Sequence, residues 1–506
     1  MSTVESPPEL CVVSMRVVWR NTFVVKDAPR DFLERAAPFV RGLSCYVSDA
    51  EADYDEQPEM LRVIERVSRN VAPGGHDSLL RFLLAPLRVA DLRPALDRWR
   101  RGPDRLTLDH VGLAVDDATH LNAWIEITPM LVLHRAGVGM VEYHARVEAP
   151  PGRPLTTDAA IGIVRLGINV EMLAVTGQWC ALFPAERSGW GVVHLLERGA
   201  DDFVAVTGLR DLSNVLYAHV TAGLEPRGGT PALQLLPLRP TNSTSVVLLA
   251  TDPLAGDDIG EFIERHAAAL RGIGAMDTDW RNRAAWLIER ELTDNLSTDA
   301  EIGLYLLGNS ELLVFNHRLA QVNEYNIRRL RLEDTSLAPT YLYMHYLVLL
   351  AWIYLQEAIL RAYIRRLDEL AATTPPDRRA TIETLHNALA DLVQYQEDIT
   401  PYSTRIEFMQ RARAYHKLDE LVERFERKQD LLLNYSSEYH DYREARAAEF
   451  LNWLAAILAG GELGNLIVNA TGMEPAQNVP LYLSVTLGSI GAAMLVMGLL
   501  RLRRHR

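Results

Sequence analysis

The chain has 506 residues, of which 48% are hydrophobic, and a formal net charge of −14. This apolar share is enough for globular cores and excludes a disordered protein, and the length suggests roughly two to four domains. The acidic balance argues against non-specific nucleic-acid binding, which needs a basic face, so no nucleic-acid partner is expected.

The N-terminus and the cysteines both indicate a cytosolic environment for the first part of the chain. The opening residues, MSTVESPPEL, are acidic and contain no apolar core, so we do not expect a signal peptide. Cys11, Cys45 and Cys180 are widely spaced. They match neither a zinc pattern nor a disulfide framework, which fits a reducing compartment.

Strand and helix patterns alternate through the first 280 residues. Strands are predicted at Leu10–Trp19 and Ser245–Thr251, and helices at Asp257–Arg271 and Thr278–Glu291. Intermixed strands and helices are typical of α/β or α+β folds. We therefore expect residues 1–280 to form an α+β cytoplasmic domain with a sensor role.

Two hairpins are predicted from glycine-containing turns between β-rich arms. In residues 129–147 the turn residues are Gly137 and Gly139. The second stretch, EIGLYLLGNSELLVFN, has a Gly308-Asn309 turn.

The most apolar stretch before the C-terminus is Tyr341–Leu355, YLYMHYLVLLAWIYL. It is shorter than a membrane span, and Gln356 and Glu357 follow at once. We predict a helix buried in the cytoplasmic part or between subunits, with a third span as the alternative.

Two helices are predicted before the C-terminal apolar region. One lies near Arg378–Ile399, and the other is Ser403–Glu449, which contains neither Gly nor Pro. Ser403 is a suitable N-cap for the second helix. This helix is expected to continue into Phe450 as a stalk.

The segment Leu481–Leu500 is the clearest membrane-span candidate. It is uncharged over its length, and about 20 helical residues cross a hydrocarbon core of about 30 Å. Gly488, Gly491 and Gly498 would allow close approach of another helix. The alternative is a buried helix of a soluble protein.

Phe450–Ala470 is also long enough to span a membrane, but it carries polar residues: Asn452, Glu462, Asn465 and Asn469. The last three are spaced i, i+3 and i+7, so they share one helix face. An ionisable group at mid-membrane usually faces a bundle interior or a water-filled path. We therefore predict a span, with an amphipathic helix lying on the bilayer as the alternative.

The distribution of arginine predicts the orientation of the two segments. Basic residues precede the first segment and follow the second: Arg443, Arg446, Arg501, Arg503, Arg504 and Arg506. The connecting loop, 471–480, contains no Lys or Arg. The positive-inside rule then places both termini in the cytoplasm and the loop outside.

This arrangement, with Gly472-Met473-Glu474 after the first span, resembles the CorA superfamily of pentameric cation channels and transporters. The likeness covers about residues 280–506. It implies a pentameric funnel whose first span lines the pore, so that Asn452, Glu462, Asn465 and Asn469 would be pore-lining. The family motif is Gly-Met-Asn, and Glu474 stands here in place of the Asn. Copies of Glu474 would form a negative ring at the outer mouth, a general device for cation selection.

The resemblance and the patterns together divide the chain into seven segments. These are a sensor-like α/β domain (1–280), a helical lobe with a β-hairpin (281–402), a stalk helix (403–449), a pore-lining span (450–470), an outer loop (471–480), a second span (481–500) and a basic cytoplasmic tail (501–506).

The expected function is a channel or transporter for metal cations, with a divalent ion such as magnesium as cargo. The cytoplasmic domain would gate it by binding a small molecule or an ion. No resident cofactor is expected, and no enzymatic activity, because a Walker loop, an HExxH motif and a nucleophile elbow are all missing from the sequence. Two alternatives stay open: a ligand-gated membrane effector of a bacterial antiviral defence system, and a membrane-anchored binding or scaffold protein.

Overall fold

A computed structural model gives the architecture of most of the chain. It describes residues 8–25, 31–49, 52, 58–71, 78–88, 125–149, 152–165, 172–182, 203–207, 209–222, 233–234, 243–251, 258–297, 302–308, 310–315, 338–372, 378–393, 403–470, 480, 483–492 and 495.

A ten-stranded mixed sheet forms the centre of an α+β domain. Its strands are β1 (Val12–Val25), β2 (Tyr46–Asp49), β3 (Leu79–Leu84), β4 (Leu87–Arg88), β5 (Ile125–His134), β6 (Val138–Glu148), β9 (Leu233–Gln234), β10 (Ser243–Thr251), β11 (Ile302–Leu307) and β12 (Ser310–Phe315). A separate two-stranded sheet pairs β7 (Met172–Thr176) with β8 (Phe203–Thr207).

The strands of the large sheet follow the order β11-β12-β10-β1-β6-β5-β3-β2, with β4 beside β5 and β9 beside β1. Every pair is antiparallel except β10 and β12, which run parallel. The central strand β1 is rich in Val and aromatic residues, which suit a pleated surface. The strands predicted at its start and at Ser245–Thr251 are confirmed.

Helices cover both faces of the sheet. In chain order the described helices are α1 (Phe32–Arg41), α2 (Glu59–Val71), α3 (Thr157–Arg165), α4 (Leu209–Ala222), α5 (Ile259–Ala275), α6 (Ala285–Leu292), α7 (Ala338–Ala372), α8 (Arg378–Val393), α9 (Ser403–Tyr415), α10 (Leu418–Ala470) and α11 (Leu483–Ala492).

Alternation along β1 sends successive side chains to opposite layers. Val17, Trp19 and Phe23 enter the main apolar core, together with residues of α1, α3, α4 and α5. The Trp19 indole N–H donates to the carbonyl of Val164 in α3 at 2.8 Å. The intervening residues, Arg16 and Arg20 among them, face the opposite layer, which α2 and α7 cover.

Both predicted hairpins are present. Gly137 (φ +76°) lies in the turn between β5 and β6, and Gly308 (φ +68°) follows β11. Asn309 lies outside the described residues. Gly139, predicted as a turn residue, instead lies inside β6, where an added Cβ would come within 2.1 Å of the Phe23 ring. It serves close packing between strands.

The two helices predicted between residues 257 and 291 are confirmed in part. Asp257–Arg271 corresponds to α5, whose N-cap Asp258 accepts a hydrogen bond from the Gly260 N–H at 2.7 Å. Thr278–Glu291 is not one helix. A short 3₁₀ turn at Trp280–Asn282 and the separate helix α6 replace it. Trp280 is fully buried, so its packing decides the path of the chain there.

The predicted buried helix at Tyr341–Leu355 lies within α7. Tyr343–Ala372 is long and apolar enough to cross a membrane, with a mean hydropathy of 1.5 over its apolar window. Of that window, 83% is buried against the rest of the chain. The helix therefore behaves as a core helix, as the sequence predicted.

The predicted helix Ser403–Glu449 is divided in the structure. It consists of α9 and the beginning of α10, which meet at Lys417 with φ of +55°. The sequence contains no Gly or Pro at this corner, so contacts with the rest of the fold impose the break. Beyond it, α10 continues without interruption through Phe450–Ala470.

The chain divides into two compact units. The first comprises Met1–Arg365 and His386–Phe425, and the second comprises Arg366–Leu385 and Glu426–Arg506. The large sheet and the corner at Lys417 belong to the first unit. The apolar C-terminal segments belong to the second.

Candidate functional site

The polar residues predicted to line a pore all lie on α10. Asn452, Glu462, Asn465 and Asn469 are within its last two-fifths, and the Glu462 side chain is exposed in the single chain. The predicted outer-mouth residues, Gly472, Met473 and Glu474, lie outside the described residues. The arrangement of the two predicted spans as a hairpin therefore stays a prediction.

Large apolar side chains are exposed along the same region. Phe450 and Leu466 of α10 are both 67% exposed, and Leu487 of α11 is 64% exposed. Leu451, Ile467 and Leu483 are exposed as well. Exposed apolar surface of this extent marks contact with a membrane or another protein.

A second candidate site lies inside the α+β domain, between the sheet and α7. At its centre is Arg20 of β1, whose side chain is wholly buried. Its Nε donates to Glu142 at 2.9 Å, and its Nη1 donates to Ser245 at 2.6 Å and lies 3.6 Å from Glu311. Its remaining nitrogen reaches the Leu347 carbonyl of α7 at 3.5 Å. One guanidinium therefore joins three strands to a helix.

Glu311 of β12 receives donors from two sides. The Ser245 hydroxyl donates to its Oε2 at 2.5 Å, and the Tyr354 hydroxyl of α7 donates to its Oε1. Arg20 also lies over the Tyr354 ring, 5.7 Å from its centroid. Burial raises the pKa of Tyr354 well above its ordinary value, helped by the negative charge of Glu311. The hydroxyl is thus a permanent donor.

Glu142 of β6 is the other carboxylate on Arg20. Its Oε2 lies 3.4 Å from Nε2 of His144, two residues along the same strand face. Burial by itself raises the pKa of Glu142, but the hydrogen bond with His144 and the charge of Arg20 outweigh it and lower the pKa to about 2. Glu142 is therefore ionised in the folded protein at neutral pH.

A small cavity lies beside this group. Its volume is about 10 Å³, roughly the room that one water molecule needs. Residues of α2, β3, β5, β6 and α7 line it, among them Arg81, Glu142, His144 and Trp352. Arg81 forms a buried ion pair with Glu65 of α2 at 3.0 Å. This cavity is lined by charged side chains and is too small for an organic substrate.

We call Arg20, Glu142, His144, Ser245, Glu311 and Tyr354 the charge cluster. Each carboxylate is occupied by side-chain donors from neighbouring elements. Among the residues that the structure describes, no group of three or more His, Cys, Asp or Glu side chains is arranged to hold a metal ion. The geometry suits the positioning of α7 on the sheet.

Sequence reasoning missed the charge cluster, although a signal was present. Arg20 and Glu142 each occur in strongly apolar strands, VVSMRVVWRNTFVV and VGMVEYHARVE. A charged residue inside such a strand requires a partner, because an isolated buried charge is costly. The partners come from distant parts of the chain, and only the sheet order brings them together.

Comparison with family models, with curated proteins and with solved structures finds no match for this chain. The resemblance to the CorA superfamily thus rests on the C-terminal sequence pattern.

Proposed function

We propose that the protein is a homo-oligomeric membrane channel or transporter for cations, similar to the CorA superfamily, with Phe450–Ala470 lining its pore. The observation that carries the proposal is Glu462, an exposed carboxylate in a helix segment whose other exposed residues are mostly apolar. A carboxylate at that depth is costly against lipid and favourable beside water or a cation. A helix that only anchors a protein gains nothing from it.

Several copies of the chain are needed for such a pore. Two predicted spans cannot enclose a path by themselves, and a closed ring gives every copy the same contacts. We propose a pentamer in a bacterial inner membrane, with both termini in the cytoplasm. Glu474 would form a ring of negative charge at the outer mouth.

The cargo follows from the chemistry of the polar face. Carboxylate and amide oxygens suit hard, hydrated cations, of which magnesium is the expected one. The substitution of Glu474 for the Asn of the related motif changes the charge at the mouth, so selectivity for another cation is compatible with this proposal. The α+β domain would act as the gate.

Ion flux through the purified full chain in liposomes tests the proposal. We expect uptake of Mg²⁺ above that of empty liposomes, and Glu462→Gln should change the ratios at which Mg²⁺, Ca²⁺, K⁺ and Na⁺ pass. The matched control is Glu438→Gln, an exposed glutamate of α10 before the apolar segment, which should leave these ratios unchanged. Absence of flux for all four ions, or identical ratios in an assembled Glu462→Gln protein, would overturn the proposal.

A second candidate keeps the pore and changes its use. The unit that holds the sheet spans Met1–Arg365 and His386–Phe425, which is most of the chain. A domain of this size favours a sensor whose ligand opens the pore, as in an effector of antiviral defence. Flux that occurs only after addition of a bacterial extract from infected cells would favour this use, and flux without any addition would favour a constitutive transporter.

A further inference from the structure

The corner between α9 and α10 is formed by a buried histidine and a strained lysine. His416 is 2% exposed, and Lys417 after it has φ of +55°, in the left-handed region. The Lys417 N–H bonds the Ala414 carbonyl at 3.1 Å. The left-handed conformation is strained for an L-residue other than glycine, so the surrounding contacts must stabilise the corner.

Tyr354 of α7 belongs to the charge cluster and also contacts this corner. Its hydroxyl donates to Glu311, and its ring meets the His416 ring edge-on with centroids 5.0 Å apart. A single side chain thus bridges the buried carboxylate of β12 and the residue at which α10 begins.

Two further contacts hold α9 against the same region of the domain. The Tyr415 hydroxyl accepts a hydrogen bond from the Gly308 N–H at 2.5 Å, beside the turn of the β11–β12 hairpin. Phe408 of α9 packs edge-on against Tyr346 of α7, with ring centroids 5.4 Å apart. The corner therefore rests on α7 and on the hairpin that carries Glu311.

The contacts of the charge cluster are suited to being made or lost together. Arg20 is shared by two buried carboxylates, so both lose this donor if β1 moves, and Glu311 also loses the Tyr354 hydroxyl if α7 moves. A buried charge without its donors is strongly unfavourable, so partial displacement is costly and the contacts are made or lost together. Cooperative contacts of this kind are typical of elements that switch between two discrete positions.

We propose that Tyr354 is the coupling residue through which the charge cluster sets the position of the His416 corner, and thereby the start of α10. This inference rests on the proposed function, since α10 carries the segment Phe450–Ala470. A change in the contacts of the charge cluster would act on α10 through this side chain.

Hydrogen exchange on the full chain in detergent tests the coupling without depending on ion flux. Tyr354→Phe keeps the ring and removes the hydroxyl, so exchange of the amides at 412–421 should rise about fivefold, the effect of one lost hydrogen bond. The matched control is Tyr363→Phe on the same helix, which removes a hydroxyl that donates to Asp391 at 2.6 Å. It should leave 412–421 unchanged.

A second variant probes the cluster itself. Glu311→Gln removes the negative charge that accepts the Tyr354 hydroxyl, so it should also raise amide exchange at 412–421. Two residues of one network have non-additive effects, so the exchange rate in the double variant, Tyr354→Phe with Glu311→Gln, should exceed that of the more affected single variant by less than twofold. Unchanged exchange at 412–421 in Tyr354→Phe, or an equal rise in α5 on the other face of the sheet, would overturn the coupling. Flux assays of the same proteins are read separately: no flux in any of them argues against the pore and leaves the exchange result standing.

Discussion

Buried charge is the main energetic feature at the scale of single residues. Arg20 has a wholly buried side chain between Glu142 and Glu311, both nearly or fully buried. Breaking such a group leaves uncompensated charge in the interior, whereas exposed ion pairs contribute little. We therefore expect Arg20 to contribute strongly to the stability of the fold.

Arg20→Leu should destabilise the protein by about 3–5 kcal/mol, because two buried carboxylates lose their counter-charge. The control is Arg146→Leu on the adjacent strand, whose partly exposed side chain pairs with Glu148 at 3.4 Å. Arg146→Leu should lower the free energy of unfolding by less than about 1 kcal/mol. Urea unfolding of the full chain in detergent, followed by tryptophan fluorescence, measures both. Similar losses in the two variants would contradict a special role for Arg20.

His134 should make stability depend on pH. It is fully buried at the end of β5, where its Nδ1 accepts the Ala136 N–H at 3.1 Å. Burial, with the nearby charge of Arg135, lowers its pKa to about 3. The unfolded chain binds a proton below about pH 6.5 and the folded chain does not, so stability falls as pH drops from about 6.5 towards 3.

Through His134, the free energy of unfolding changes by at most about 1.4 kcal/mol per pH unit. His134→Asn retains an acceptor for the Ala136 N–H and cannot titrate, so its stability should vary less between about pH 6.5 and 5, a range above the carboxylate transitions. Urea midpoints across this range provide the measurement. An unchanged slope in the variant would show that His134 is not buried in its neutral form.

At the scale of elements, the corner between α9 and α10 is the clearest departure from sequence expectation. The residues Ser403–Glu449 have helical character throughout, yet Lys417 adopts a left-handed conformation. His416, Leu418 and Phe408 are buried around it. Their burial against the domain outweighs the helical preference of the local sequence.

Lys417→Gly should be neutral or stabilising by up to about 1 kcal/mol, because glycine adopts positive φ without strain. Glu426→Gly, nine residues later in the regular part of α10, should destabilise by about 1 kcal/mol. Thermal unfolding of the two variants gives the comparison. Equal destabilisation would mean that Lys417 is an ordinary helical residue in solution.

At the scale of the whole molecule, the proposed function places the C-terminal segments in a membrane. α10 and α11 expose large apolar side chains, among them Phe450, Leu466 and Leu487. The connecting loop carries no basic residue, whereas basic residues precede the first segment and follow the second. Lipid contact and the positive-inside rule together give the proposed topology.

A cysteine introduced at Gln477 should react with a membrane-impermeant thiol reagent added to intact cells, and a cysteine added after Arg506 should not. The unmodified protein, with its three native cysteines, is the control for background labelling. Labelling of the C-terminal cysteine from outside would contradict the proposed topology and the proposed cytoplasmic location of the α+β domain.

Local pattern determined the elements whose contacts lie close in sequence. The hairpin turns at Gly137 and Gly308 and the apolar helix around Tyr341–Leu355 follow from turn chemistry and periodicity. The strands predicted at Leu10–Trp19 and Ser245–Thr251 match the first part of β1 and most of β10, but the sequence did not predict that β1 continues to Val25. The two C-terminal spans stay a prediction from the sequence, which rests on their length and on the distribution of charge.

Only the tertiary structure decided which distant residues meet. Arg20, Glu142, Glu311 and Tyr354 come from four separate elements. The sheet order β12-β10-β1-β6 brings the first three together under α7, which carries Tyr354. The corner at Lys417 was decided in the same way, by the burial of His416 against Tyr354. A sequence displays propensity and pattern, but the partners of a buried charge depend on strand order, which non-local packing selects.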